Sequence, residues 1–298
     1  MSKGNTLTRD FVFDQYGRYS IIKKIIDENR KPDQTFKILD VGGAGNSAKI
    51  FLAEDDVYFL DTTISGDKNY INGDGCNMKL DDNSFDWVIS ADVFEHIPRN
   101  KRENFLGENI RVAKIGVILA APFFSININK AEIYANNAYR LMSGGDDHPW
   151  LKEHIENGLP DASSLENYLI KNKNIFYSIK HSNLNIWKRL IWLSFFVNKN
   201  KDHELFDAYL KLNEYYNANI SSDDFNDEES YRTFYLIEKS GPLNMINKAS
   251  QESVFYEMML DEIFLSISKN NFLLRNINDN QERLVIERDL YIRKLLNK

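Results

Sequence analysis

The sequence predicts an α/β protein built on a mostly parallel sheet of seven strands, with helices on both faces. Short β-branched and apolar runs alternate with polar or helix-spaced stretches from residue 37 to 124, the pattern of strands buried on both faces and joined by crossovers. Two further apolar runs after residue 174 fit the same sheet. A cluster of glycines follows the first strand directly in ILDVGGAGN (38–46), where the backbone must turn sharply.

The elements follow in order. FDQYGRYSIIKKIIDENRK (13–31) carries apolar residues at 21, 22, 25 and 26, which is helical spacing, so it should pack on the sheet. The first five strands are KILDV (37–41), VYFLD (57–61), NYING (69–73), FDWVIS (85–90) and IGVILAAPF (115–123). After strand 5 comes a polar, helix-prone insert over about 125–172, broken by Gly144, Gly145, Pro149 and Pro160. IFYSIKH (175–181) and YRTFYLIEK (231–239) supply the last two strands, with helices at 184–197 and 203–217 between them. The tail over 245–298 has no Pro or Gly, and Phe255, Met259, Ile263 and Ile267 recur every four residues, so it reads as a long helix. It holds no strict heptad over four turns, which favours plain helix over coiled coil. The division expected is one α/β domain over 1–240 and a helical tail over 245–298 that serves as a coiled coil or oligomerisation element.

Composition narrows the function. The chain has 298 residues, 43% hydrophobic and 13% aromatic, enough for a large packed core. Its 37 basic and 44 acidic residues give a net charge of −7, with no basic block to follow a phosphate backbone, so nucleic acid is not the expected partner. One cysteine, Cys76, makes no intramolecular disulfide, and MSKGNTLTRD lacks the apolar core of a signal peptide. The expected location is cytoplasmic. The longest apolar runs, IGVILAAPFF (115–124) and LIWLSFFV (190–197), fall far short of the roughly 20 residues that span a bilayer.

Several ligands exploit a glycine turn after a strand, because bare backbone approaches them closely and helix N–H groups face outward. A dinucleotide fingerprint starting at Gly42 needs glycine at 44 and 47, where the chain has Ala44 and Ser47; starting at Gly43, GAGNSA fits only the relaxed form ending in alanine. A P-loop needs Gly and Lys at 47 and 48, and finds Ser47 and Ala48. What distinguishes this turn is the acid ending the strand, Asp40, in DxGGAGN. With this motif, with Asp61 ending the second strand, GDGCNMKL (73–80) after the third and FDWVISADVFEHIP (85–98) around the fourth, the sequence resembles class I S-adenosylmethionine-dependent methyltransferases of the type-11 kind. It departs from the usual alternating glycines at Ala44 and Asn46.

The resemblance implies a Rossmann-like domain and S-adenosylmethionine as cofactor. Asp40, Gly42, Gly43 and Gly45 would surround its methionine end. Asp61, beside Thr62, would accept from both ribose hydroxyls, as an acid does in dinucleotide folds. Asp74 would accept from the adenine amino group, with the backbone of Gly75 or Cys76 serving a ring nitrogen, and Ala91 and Asp92 would lie below the sulfonium. Arg18 would pair with the cofactor carboxylate, for which a guanidinium fork is suited. Each piece alone has a blander reading, as a solvated turn residue, a surface ion pair or, for Glu95–His96, the end of a helix.

The insert contains SGGDDHPWLKEHIENGLPD (143–161), with two of the five histidines. It resembles a segment of methyltransferase domains from cell-surface glycan clusters through Gly145, Asp147, His148, Pro149, Trp150, Leu151, Glu153, His154, Gly158, Leu159 and Pro160. That implies a saccharide or similar hydroxyl acceptor. O-methylation needs a base, and a neutral imidazole works near pH 7: His148 is the first candidate and His154 the second, with Asp147 orienting either and Trp150 stacking on a sugar ring. The competing account makes the same stretch a helix entry, with Asp147 as cap, Pro149 in the first turn and Trp150 packed inward. A metal set of Asp146, Asp147, His148 and Glu153 has no fixed ligand spacing, so no metal is expected. NIWKRLIWLSFF (185–196) is read as core packing rather than a membrane-resting helix, because its apolar residues nearly surround it. A second kind of function gives the tail the main role, as an assembly module docking to a partner or a second copy; RLVIERDLYIRKLLNK ends in mid-pattern, which hints at truncation or oligomerisation. A third is a methyltransferase fold that binds cofactor without turnover.

Overall fold

The structure is a computed structural model that describes residues 7–43, 47–63, 65–66, 68–199, 203–226, 229–247 and 256–269. In chain order the elements are α1 (Leu7–Asp10), α2 (Phe13–Glu28), β1 (Lys37–Val41), α3 (Ser47–Phe51), β2 (Asp56–Asp61), β3 (Tyr70–Asn72), β4 (Phe85–Ala91), α4 (Arg102–Val112), β5 (Ala113–Ala121), α5 (Ile126–Ser143), α6 (Pro149–Asn157), α7 (Ala162–Lys171), β6 (Phe176–Asn183), α8 (Leu184–Lys199), α9 (His203–Asn219) and β7 (Ser230–Glu238). All seven expected strands are present, and the insert after β5 holds three helices, α5 to α7.

The strands form one sheet in the order β3-β2-β1-β4-β5-β7-β6. β1 to β5 pair in parallel, and β7 lies antiparallel between β5 and β6. Two cores result from the two-residue period of the strands. Ile38, Phe59, Trp87, Ile89, Ile118, Phe234 and Leu236 face Ile21, Ile22, Ile25 and Ile26 of α2. The alternate residues Leu39, Leu60, Val88, Val117, Leu119, Tyr235 and Ile237 face Phe105 and Leu106 of α4 and Leu165 and Leu169 of α7. The isoleucines of α2 are at most 1% exposed; each such side chain contributes about 1.5–3 kcal/mol by leaving water.

This topology locates the site. Chain order reverses at the β1/β4 boundary, and in open sheets of this kind ligands bind in the crevice beyond the carboxyl ends of the strands at that switch point. Because β7 runs the other way, its first residues arrive at the same rim.

Two compact units divide the chain, Met1–Gln251 and Glu252–Lys298. In the second, residues 256–269 are helical, with Tyr256, Leu260 and Ile267 buried and Met259 and Ile263 partly exposed. The buried stripe is therefore offset from the expected one, of which it keeps only Ile267; Phe255 and residues 270–298 lie outside the described residues.

Candidate active site

Four strand ends deliver acids to the rim. Asp40 shares the α2 side of the sheet with Ile38, and Tyr19 of α2 donates its hydroxyl hydrogen to Asp40 Oδ2 at 3.0 Å. Burial raises the Asp40 carboxyl to about 7, with the Tyr19 hydrogen bond and the charge of Arg18 pulling it down. The glycine turn rests on this carboxylate: a Cβ on Gly43 would stand 2.2 Å from Asp40 Oδ2. Gly42 has φ +79°, and its Cβ would come within 2.4 Å of Val93, while its N–H donates to Leu60 O at 2.7 Å. Only glycine fits at these two positions, because Val93 and Asp40 fill the space a Cβ would take. Gly45 lies outside the described residues.

At the end of β2, Asp61 is partly exposed and accepts from Thr63 N–H at 2.7 Å; Thr62 beside it is exposed and gives its carbonyl to Asn72. Asp74 is exposed, and its Oδ1 accepts from Cys76 N–H at 2.8 Å. The Cys76 N–H is therefore engaged, so of the two backbone donors expected for the adenine, Gly75 is the one left. A Cβ on Gly75 would meet Phe105 at 2.7 Å. Burial and the neighbouring Asp74 push the Cys76 thiol up to about 11, away from thiolate chemistry.

Ala91 ends β4, and Asp92 follows at φ 55° with its N–H donating to Ala120 O. The Asp92 carboxylate sits between two arginines. Arg18 Nη1 donates to Oδ2 at 2.7 Å, Arg232 Nε donates to Oδ1 at 2.6 Å, and Arg232 Nη2 also bonds Oδ2. Burial alone would raise this acid, yet Arg232 and Arg18 hold it down to about 2. Arg18 thus spends one Nη1 donor on Asp92, and its Nε–H is buried with no partner among the described residues.

Arg232 is fully buried and also bonds Asp14 at 3.0 Å. It is the main residue the sequence reading missed. Its signal lies in YRTFYLIEK: Arg232 shares strand parity with Phe234 and Leu236, and an arginine on a core face requires an acid partner.

The insert and the turn after β4 meet in a second cluster. Residues 93–97 form a tight turn rather than a helix end. His154 Nδ1 faces Glu132 Oε1 at 2.9 Å, Tyr231 donates to the same oxygen at 2.9 Å, and His96 Nδ1 faces Glu153 Oε2 at 2.7 Å. The two Nε2 atoms lie 3.3 Å apart, and Glu95 Oε1 is 3.9 Å from His154 Nε2. Burial and nearby Asp92 raise Glu95 well above the usual carboxylate range.

His148 is the N-cap residue of α6 and Pro149 its first helical residue. The expected cap Asp147 turns away, accepting from Asn136 at 2.9 Å and Arg140 at 3.1 Å, so it orients neither histidine. The amide N–H of Asn136 and the guanidinium N–H of Arg140 both donate to its Oδ1 instead. The His148 ring packs against Tyr139, Trp150 and Phe195, with Nδ1 buried and no partner among the described residues. Burial, then His154, lowers its pKa. Trp150 is 67% exposed rather than packed inward. Trp187 of α8 is 3% exposed and stacks on Tyr231 at 3.7 Å; among the described residues no helix is long and apolar enough to cross a membrane. Asp146, Asp147, His148 and Glu153 form no ligand group, whereas Glu95, His96 and His154 bring one ligand atom each within 4.8 Å of one another.

These groups fit S-adenosylmethionine: a glycine turn at the end of β1, a partly exposed rim carboxylate for a diol, and a guanidinium, Arg18, whose side chain is 20% exposed, for a carboxylate. A family model described as a methyltransferase domain matches residues 42–121, the span from the glycine turn to the end of β5. No curated relative matches the chain. Among solved structures, a candidate methyltransferase of Bacillus halodurans is 16% identical, covering 74% of this chain and 99% of its own, with a TM-score of 0.40. A candidate methyltransferase from an antibiotic biosynthesis pathway of Anabaena variabilis is 18% identical, over 77% and 98%, with a TM-score of 0.45. The Haemonchus contortus phosphoethanolamine N-methyltransferase 2, crystallised with S-adenosylhomocysteine, is 17% identical, over 73% and 52%, with a TM-score of 0.42. With a methyltransferase domain over residues 42–121 and a rim that fits the cofactor, the chain is an S-adenosylmethionine-dependent methyltransferase with a Rossmann-like fold.

Proposed function

We propose that the enzyme methylates a hydroxyl oxygen of a saccharide or related small polar acceptor in surface-glycan assembly, with His148 as general base. One observation carries the reading: the His148 ring is partly exposed beside Trp150, in an environment whose burial keeps the imidazole neutral. S-adenosylmethionine, when bound, supplies the electrophilic methyl group. The chain's residues do the rest. Asp61 orients the ribose, the Gly42–Gly43 backbone admits the methionine end, and the Arg18 guanidinium takes its carboxylate. His148 receives the hydroxyl proton as the acceptor oxygen attacks, and Trp150, exposed beside it, offers a stacking face for a sugar ring. Alignment of nucleophile and methyl supplies most of the rate. The resemblance of residues 145–160 to glycan-cluster methyltransferases supports the acceptor class. His154 is the less suitable base, since its ring nitrogens face Glu132 and His96.

The test is transfer of labelled methyl to a panel of free and nucleotide-linked sugars. His148→Ala is expected to lower kcat about 10²-fold or more while leaving S-adenosylhomocysteine affinity unchanged. Because the His148 pKa is lowered, the base form persists below the ordinary imidazole value of about 6.5, and activity should fall only at more acid pH. Label found on nitrogen, or full rate in His148→Ala, refutes the assignment.

A further inference from the structure

We propose that Glu95, His96 and His154 hold a divalent first-row transition-metal ion that pins α6 to the turn after β4. Glu153 and Glu132 lie 2.7 and 2.9 Å from the Nδ1 atoms of His96 and His154. A carboxylate only accepts, so each Nδ1 carries the ring hydrogen and each Nε2 is left with a lone pair. Those two Nε2 atoms are 3.3 Å apart. Two lone pairs at that distance repel unless a shared proton or a metal ion lies between them, and the third ligand atom beside them favours the metal ion.

A tetrahedral ion with Zn–N bonds of about 2.0–2.1 Å holds its nitrogens roughly 3.3–3.4 Å apart. The observed separation already has that value. Carboxylates behind both imidazoles are the outer partners that metal-bound histidines use, fixing the tautomer and ring orientation. The third ligand comes from Glu95, 1% exposed, with Oε1 3.9 Å from His154 Nε2 and Oε2 buried without a hydrogen-bond partner among the described residues. Two imidazoles and one carboxylate suit zinc, iron, cobalt or manganese, and leave positions open for a ligand oxygen. This site shares only Glu153, as an outer partner, with the metal set suggested by the sequence alone. The ligands come from two regions, the turn following Asp92 and the insert helix α6. One ion therefore ties the cofactor rim to the segment that carries His148.

The experiment uses the full chain, stripped with chelator and titrated with Co2+ and separately with Zn2+. Every sample is also titrated with S-adenosylhomocysteine, which reports folding and the cofactor reading independently of the metal. One ion per chain is expected, with visible Co2+ ligand-field bands that vanish in the His96→Ala, His154→Ala double variant. Glu132→Gln, which alters only the outer partner, should weaken affinity 10–100-fold. Glu95→Gln keeps the side-chain volume and supplies the same comparison if the double variant no longer binds S-adenosylhomocysteine. If stripped protein that binds S-adenosylhomocysteine takes up neither ion, or if the variants bind as tightly as the parent, the site is not here and the proposal is overturned.

Discussion

Asp92 carries one negative charge shared by two arginines, one from α2 and one from β7. Taking such groups out of water is costly, and removing one partner leaves the others buried and unpaired. Arg232→Met should therefore lower stability by about 3–5 kcal/mol in urea unfolding, the range for broken buried ion pairs. Arg232→Lys should recover only part of it, because a single ammonium does not reproduce the fork that reaches both Asp92 and Asp14. Asp40 makes the opposite kind of prediction. Its folded pKa is raised to about 7, above the unfolded value of about 3.9. Between those values the folded state binds the extra proton, so stability through this group falls as pH rises from about 4 to 7 and levels off above. Asp40→Asn should remove that slope: relative to the parent it gains on the order of 3 kcal/mol between pH 4 and pH 8. An unchanged difference across that interval contradicts the buried-acid account.

At the scale of elements, the turn between β1 and α3 combines a left-handed residue with close packing. Gly42→Ala places a methyl group 2.4 Å from Val93 and forces a residue with a Cβ to φ +79°. The two effects together should cost about 2–4 kcal/mol and weaken S-adenosylhomocysteine binding at least tenfold, as read by calorimetry. This turn was legible in the sequence because its determinants are local: an apolar strand, an acid and adjacent glycines. The strands were legible for the same reason. Arg232 was not, because its role depends on β7 running antiparallel beside β5, a nonlocal pairing that brings residue 232 to the rim where β4 ends. The histidine cluster is likewise not legible locally, since His96 and His154 are separated by 58 residues. Asp147 shows the limit of local capping rules: it stands before a proline-led helix, yet Asn136 and Arg140 of α5 compete for its oxygens.

In the molecule as a whole, the sheet and every described residue of the candidate site fall within Met1–Gln251. A chain ending at residue 251 should therefore keep S-adenosylhomocysteine affinity within about threefold, and light scattering of the two lengths should show whether residues 252–298 govern self-association. Loss of the sheet's circular dichroism on truncation would contradict the division into two units. The central claim is that the carboxyl-end rim of this sheet binds an adenosyl cofactor. Titration calorimetry of the full chain with S-adenosylhomocysteine tests it most directly. The account predicts saturable heat at one site per chain, strongly reduced in Asp61→Ala; well-folded protein that gives no heat, or an Asp61→Ala variant that binds as the parent does, contradicts it.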